Sequence, residues 1–183
     1  MKTTIAAVTA LLFVSGSFLT AQEMPQMPPP VKEHEWLNQF VGNWNYETEI
    51  YMDPSKPPLK ATGTESVRSL GGFWILADGK GEMMGKPFNS VLTLGYDPQA
   101  KKYIGTWVDS MSSMLWKYEG AVDSTGKILT LETEGPCPGK PGITKFKEVT
   151  EWKSKDERVF TSSIQGDDGK WMTIVNVTSK RAK

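Results

Sequence analysis

The stretch GNWNYETEI, residues 42–50, decides the fold of this chain. Large or β-branched side chains stand at every second position and polar ones between them: Trp44, Tyr46, Thr48 and Ile50 alternate with Asn45, Glu47 and Glu49. A period of two places alternate side chains on opposite faces of a strand. The pattern therefore predicts a half-buried β-strand whose two glutamates face solvent.

The same period continues along the chain in short runs separated by turn residues. Segments 95–101, 120–127 and 165–170 combine Asp with Gly, residues that favour tight turns between antiparallel strands. No segment after Gly42 has the pattern of a three-turn helix. With the first strand there are about ten predicted strands, the others being residues 60–69, 73–83, 88–96, 101–110, 114–122, 127–134, 143–153, 157–165 and 170–180. An open meander of this length has exposed edges, so the sequence predicts an all-β, antiparallel up-and-down barrel.

The N-terminal region is expected to direct export. Lys2 precedes an apolar run over residues 5–19, and the pattern predicts a signal peptide over residues 1–21. Residues 22–32 are rich in Pro and predict an extended linker, and residues 33–183 form the single predicted domain. Within that domain, residues 33–41 predict a short helix ended by Gly42. We expect a periplasmic or secreted protein with no transmembrane segment after processing.

Composition and single residues argue against several functions. The chain has 21 basic and 21 acidic residues, a balance that disfavours nucleic-acid binding. Cys137 has no second Cys to pair with, and His34, the sole His, is interpreted as a solvated helix residue. We therefore expect no enzyme, no cofactor and no metal site. The Met-x-x-Met pairs at 24–27 and 111–114 suit Cu(I), but Met is more often a gap filler.

Charged residues within the predicted strands give a weaker hypothesis. Glu65, Asp78 and Asp109 are interpreted as exposed strand charges. If one of them is buried, it needs a partner such as Arg68.

Three blocks of sequence carry a resemblance to known families. Gly42-Asn43-Trp44 after a short helix resembles the Gly-x-Trp signature of the lipocalin and fatty-acid-binding superfamily, the calycins. That resemblance implies a Trp at the closed end of the barrel, crossed by a basic residue such as Lys180 or Arg181. Residues 70–75 and 94–97, followed by 102–103 and 107–110, look like an uncharacterised bacterial secreted family, domain of unknown function number fifteen seventy-nine. The resemblance implies a calycin-like barrel and no established activity. Haem-binding relatives use a proximal His, and the barrel segment has none.

The alternation of side chains along the strands also predicts candidate ligand-binding residues. A barrel of eight to ten strands has room for one small molecule. The residues that alternation places on one face of their strands are Trp44, Tyr46, Ile50, Tyr103, Trp107, Asp109, Met114, Trp116 and Tyr118. A shift of one residue in register would turn them all outward.

Three functions remain open at this point. The first is binding of a small hydrophobic ligand. The second is a structural or protein-interaction role in the cell envelope, with residues 145–147 and 152–155 as a surface. The third is an enzyme acting on a cavity-bound ligand, favoured if a buried carboxylate lies beside an Arg or a Tyr hydroxyl.

Overall fold

A computed structural model describes residues 28–53, 55–137 and 140–183 and shows a closed barrel of antiparallel strands. A short helix, α1 (Lys32–Trp36), and a 3-10 helix (Leu37–Phe40) precede the barrel. The strands are β1 (Gly42–Ile50), β2 (Leu59–Leu70), β3 (Trp74–Met83), β4 (Lys86–Asp97), β5 (Lys102–Asp109), β6 (Trp116–Val122), β7 (Ile128–Pro136), β8 (Ile143–Ser154), β9 (Glu157–Gln165) and β10 (Trp171–Arg181).

Each strand pairs with its neighbours in sequence, and the first strand also pairs with the last. Trp44 lies opposite Glu65 of β2 on one side and Arg181 of β10 on the other. The predicted ten-strand, up-and-down barrel is confirmed. The strand bounds differ from the predicted ones by at most two residues, at the start of β4, the start of β6 and the end of β7. No helix among the described residues is long and apolar enough to cross a membrane.

The segment before the barrel closes one of its ends. Leu37 and Phe40 are buried and pack in the core with Trp44 and Trp152. The indole Nε1 of Trp44 donates to the carbonyl of Phe40 at 2.8 Å, which ties the 3-10 helix to β1. The helix predicted over residues 33–41 is therefore present, but its second half has the tighter 3-10 geometry.

His34 is buried, so its interpretation as a solvated residue was wrong. Its Nδ1 accepts from the backbone N–H of Val31 at 3.0 Å, which leaves Nε2 to donate to the carbonyl of Tyr96 at 3.0 Å. The ring also makes edge contacts with Phe73 and Tyr96. The helix packs against the end of the barrel through this face, a tertiary contact that local sequence does not encode.

Two arginines hold Trp44 at the closed end. The guanidinium carbon of Arg181 lies 4.2 Å from the centre of the Trp44 ring, and that of Arg158 lies 4.6 Å from it. Arg181 is thus the basic residue that the calycin resemblance implies, whereas Lys180 is exposed. Arg181 also donates from Nη1 to the carbonyl of Val41 at 2.8 Å, so it joins the last strand to the end of the 3-10 helix.

Glu65 is the acidic partner inside this end of the barrel. Its carboxylate forms a charged hydrogen bond with Arg158, whose side chain is 8% exposed. Burial lowers the pKa of Arg158, and the charge of Glu65 opposes that effect. Arg68, the partner suggested by the sequence, is instead exposed. The error has a simple cause, because Arg68 stands out of phase with the inward residues Glu65 and Val67.

Candidate functional site

The nine predicted ligand-binding residues do not form one group. Trp44 and Tyr103 lie at the closed end and are fully engaged in the packing there. The Tyr103 hydroxyl donates to the carbonyl of Glu33 at 3.1 Å, and burial raises the pKa of this phenol. Both residues therefore seal the barrel against the N-terminal helix.

Tyr46 fills the wall around two glycines. A Cβ atom at Gly63 would lie 2.3 Å from the Tyr46 ring, and one at Gly81 would lie 2.7 Å from its hydroxyl. The hydroxyl donates to the carbonyl of Lys80 at 3.2 Å. Ile50 is half-buried at the opposite end of β1, the open end. Both residues lie on β1, which pairs with β2 and β10 and not with β5 or β6.

The remaining five candidates come together in the open half of the barrel, on β5, on β6 and in the loop between them: Trp107, Asp109, Met114, Trp116 and Tyr118. Trp107 and Trp116 are opposite each other in the register. The Trp107 indole donates to Asp109 Oδ2 at 3.2 Å, and Asp109 Oδ1 accepts from the backbone N–H of Met111 at 2.8 Å. The β5–β6 loop is thus fixed by Asp109, whose side chain lies in phase with Trp107.

A cleft opens in the barrel wall beside these residues. β6 and β7 pair only between Glu119–Val122 and Leu129–Glu132, so the strands diverge above Glu119. The resulting cleft has a volume of about 720 Å³. Its lining comes from both faces of the sheet: Ile104, Met114, Leu115, Lys117, Tyr118, Glu119, Glu132, Thr133, Glu134, Lys145, Phe146, Gln165 and Trp171.

Trp116 spans the gap between the diverging strands. A Cβ atom at Gly135 would lie 2.5 Å from the Trp116 ring, so only glycine leaves room for the indole to cross to β7. The ring then meets Phe146 of β8 edge-on, with 5.0 Å between the ring centres. At this level the Trp116–Phe146 pair lies where β6 and β7 have no backbone hydrogen bonds to each other.

Glu148 is a buried carboxylate one inward position below Phe146. Its neighbours across the sheet are Leu131 of β7 and Ser162 of β9. The Ser162 hydroxyl donates to Oε1 at 3.0 Å, but Oε2 has no hydrogen-bond partner among the described residues. Burial raises the pKa of Glu148 to about 7, although the Ser162 hydrogen bond acts in the opposite direction. Near neutral pH the carboxyl group is therefore poised between its two protonation states.

Tyr118 connects the cleft with the buried carboxylate. Its side chain lines the cleft. Burial raises the pKa of its hydroxyl, and the negative charges of Glu148 and Asp109 raise it further. The phenol consequently stays protonated and is available as a hydrogen-bond donor or acceptor between the two acids.

Sequence reasoning missed Glu148, Ser162, Phe146 and Trp171. For Glu148 a signal existed, because it stands in phase with Phe146 and Trp152 while Lys145 and Lys147 alternate with it. The proposed interaction surface at 145–147 and 152–155 needs the same correction. Phe146 and Trp152 are each only 7% exposed and point into the barrel, so the outer face there is mostly lysine.

The two methionines of the 111–114 pair lie in different environments. Met111 is exposed, whereas Met114 lines the cleft. Met24 and Met27, together with the predicted signal peptide, lie outside the described residues. In the described part of the chain, His, Cys, Asp and Glu form no group of three suited to a metal ion.

The geometry defines a closed, calycin-like barrel with an opening in its wall. Residues 29–181 match the family described as protein of unknown function (DUF1579), and the chain belongs to that family. No curated protein matches the sequence.

A solved structure supports the fold. Rv2717c from M. tuberculosis is similar with a TM-score of 0.62 at 13% identity, over 84% of this chain and 99% of that chain. Two redesigned β-barrels have TM-scores of 0.44: b11L5F_LGL at 11% identity (85% and 100% covered) and mFAP0, bound to DFHBI, at 10% identity (78% and 99% covered).

Proposed function

We propose that this protein binds a small molecule with a largely apolar body, and that the molecule enters through the cleft between β6 and β7. The observation that carries the proposal is the divergence of these two strands above Glu119 and Glu132. The ladder between β6 and β7 has four residue pairs, against five between β5 and β6, nine between β7 and β8 and ten between β3 and β4.

The chemistry of the cleft suits such a ligand. Its apolar side chains include Met114 and Phe146 on the inner side and Leu115 and Trp171 at the rim. Trp171 is held in place by Lys147, whose Nζ lies 4.3 Å from the ring centre. Small-molecule sites typically have volumes of roughly 300–1,000 Å³, and this cleft falls within that range. The rim of the cleft is polar, with charged side chains on both β6 and β7.

A blocking substitution tests the proposal. Thr133 is half-buried and lines the cleft, so Thr133→Phe is expected to occupy the space in front of Tyr118. Thr62→Phe, on the exposed outer face of β2, is the matched control. Binding of 2-naphthalenemethanol, measured by calorimetry, should be lost in the first variant and retained in the second. Equal binding by both variants would place the ligand elsewhere.

A second candidate function is catalysis by proton transfer on the bound molecule. It is favoured by a single observation, the buried Glu148 carboxyl with a pKa near 7 beside the Tyr118 hydroxyl. Native mass spectrometry of protein from its own host would identify a co-purifying compound. Recovery of that compound unchanged after incubation supports binding, and conversion that depends on Glu148 supports an enzyme.

Export belongs to the same proposal. It is supported by Lys2 and the apolar run over residues 5–19. The intact mass of the host-derived protein tests it, because cleavage after Ala21 would give a chain that starts at Gln22.

A further inference from the structure

The charges inside the barrel are divided between its two ends. Arg158 and Arg181 lie at the closed end, where Glu65 partners Arg158. Glu148 and Asp109 lie in the open half, and the inward positions of the described strands add no Lys or Arg at that level. The part of the interior next to the cleft therefore has acidic groups without a basic counterpart that points inward. The outer rim of the cleft has side chains of both charges: Lys117, Lys145, Glu119, Glu132 and Glu134.

Glu148 is the group that most needs a partner there. It is 7% exposed, and its Oε2 has no hydrogen-bond partner among the described residues. A buried carboxylate oxygen without a partner is costly, and the cost falls when the group takes up a proton or when a bound species completes its hydrogen bonds.

Aromatic rings surround the approach to this carboxylate. Tyr118 lines the cleft, and Trp116 and Phe146 meet above Glu148 at 5.0 Å between ring centres. Rings with a negative face next to carboxylates are the usual surroundings of an organic cation.

We propose that the molecule bound in the cleft is an amine, whose ammonium group binds Glu148 Oε2 beside Tyr118 while its apolar body lies along Met114 and Phe146. The inference rests on the proposed function and names the class of ligand for that site. A primary ammonium has three donors, enough for Glu148 Oε2 and the Tyr118 hydroxyl together.

The protonation of Glu148 gives the proposal a pH signature. The groups facing it are Ser162 from β9 and Leu131 from β7, with Tyr118 and Asp109 contributing from β6 and β5. Because burial holds a proton on the carboxyl up to about pH 7, ammonium binding must release that proton at lower pH. Linkage then makes amine affinity about tenfold weaker at pH 6 than at pH 8 and releases about half a proton at pH 7.

Three naphthalene probes of similar size separate the possibilities: 2-naphthylmethylamine, 2-naphthalenemethanol and 2-naphthoic acid. Calorimetry on the full mature protein should show the amine binding about 10- to 100-fold more tightly than the alcohol, the range of one charge-assisted hydrogen bond. The acid should bind most weakly. In Glu148→Gln the amine should fall to the affinity of the alcohol and lose its pH dependence. Glu47→Gln, on the exposed outer face of β1 and away from the cleft, should leave the order unchanged.

The outcomes separate this inference from the proposed function. Equal binding of amine and alcohol, both blocked by Thr133→Phe, would overturn the amine assignment and leave a small-molecule site in the cleft. Tighter binding of the acid would overturn it as well. Failure of all three probes to bind would count against both the amine assignment and the cleft as a binding site.

Discussion

Replacing Glu148 by Gln tests the electrostatic reasoning without a ligand. In the folded protein the pKa of this carboxyl is about 7, against an ordinary value of 4.5. The folded state thus holds a proton that the unfolded state has lost, and stability decreases as pH rises through this window. Between pH 5 and pH 8 the difference amounts to about 2.5 kcal/mol. Gln is uncharged throughout, so the variant should lack this contribution.

Urea denaturation followed by Trp fluorescence measures the effect. With a slope of about 2 kcal/mol per molar urea, the wild-type midpoint should fall by about 1 M more than that of Glu148→Gln between pH 5 and pH 8. Glu132→Gln is the matched control, because Glu132 is exposed on the neighbouring strand. Parallel pH profiles for the wild type and Glu148→Gln would refute the placement of an ionisable group in the barrel interior.

Three further substitutions examine the closed end and the cleft. Arg158→Met leaves Glu65 buried without its partner and should cost about 3 kcal/mol, whereas Arg158→Met with Glu65→Met should cost clearly less. A double variant as unstable as the single one in urea denaturation would contradict this. His34→Ala removes one hydrogen bond that ties α1 to β4 and one that caps the start of α1, and should lower the melting temperature by about 5 °C; an unchanged calorimetric transition would show that the helix docks without them. Gly135→Ala should displace the Trp116 ring and change the near-ultraviolet circular dichroism, and an unaltered spectrum would speak against their contact.

The strands were predictable because each one alternates between a buried and a solvated face. The pattern of residues 42–50 repeats with turn signals between runs, and closure follows from the need to cover edges. Local sequence also placed Trp44 correctly at the head of the first strand. It did not show that His34 is buried, because the contact of His34 with Tyr96 joins residues far apart in the chain.

The cleft could not be predicted for a related reason. It exists because β6 is short, seven residues, and leaves β7 after four paired positions. Nothing in residues 116–118 signals that their backbone lacks a partner on one side. The alternation in β8 already indicates that Glu148 points inward with Phe146, but only the register places it between Leu131 and Ser162.

The pairing of β1 with β10 determines when folding can be completed. Trp44 and Arg181 are opposite each other in the closing seam, although almost the whole barrel sequence lies between them. Contacts of this separation form slowly, because the intervening chain must first be ordered. A growing chain that lacks the eleven residues of β10 has two unpaired sheet edges. It also lacks Arg181, one of the two arginines that pack on Trp44. The barrel therefore closes only after β10 has been synthesised and has paired with β1. A chain released without β10 would be prone to edge-to-edge association.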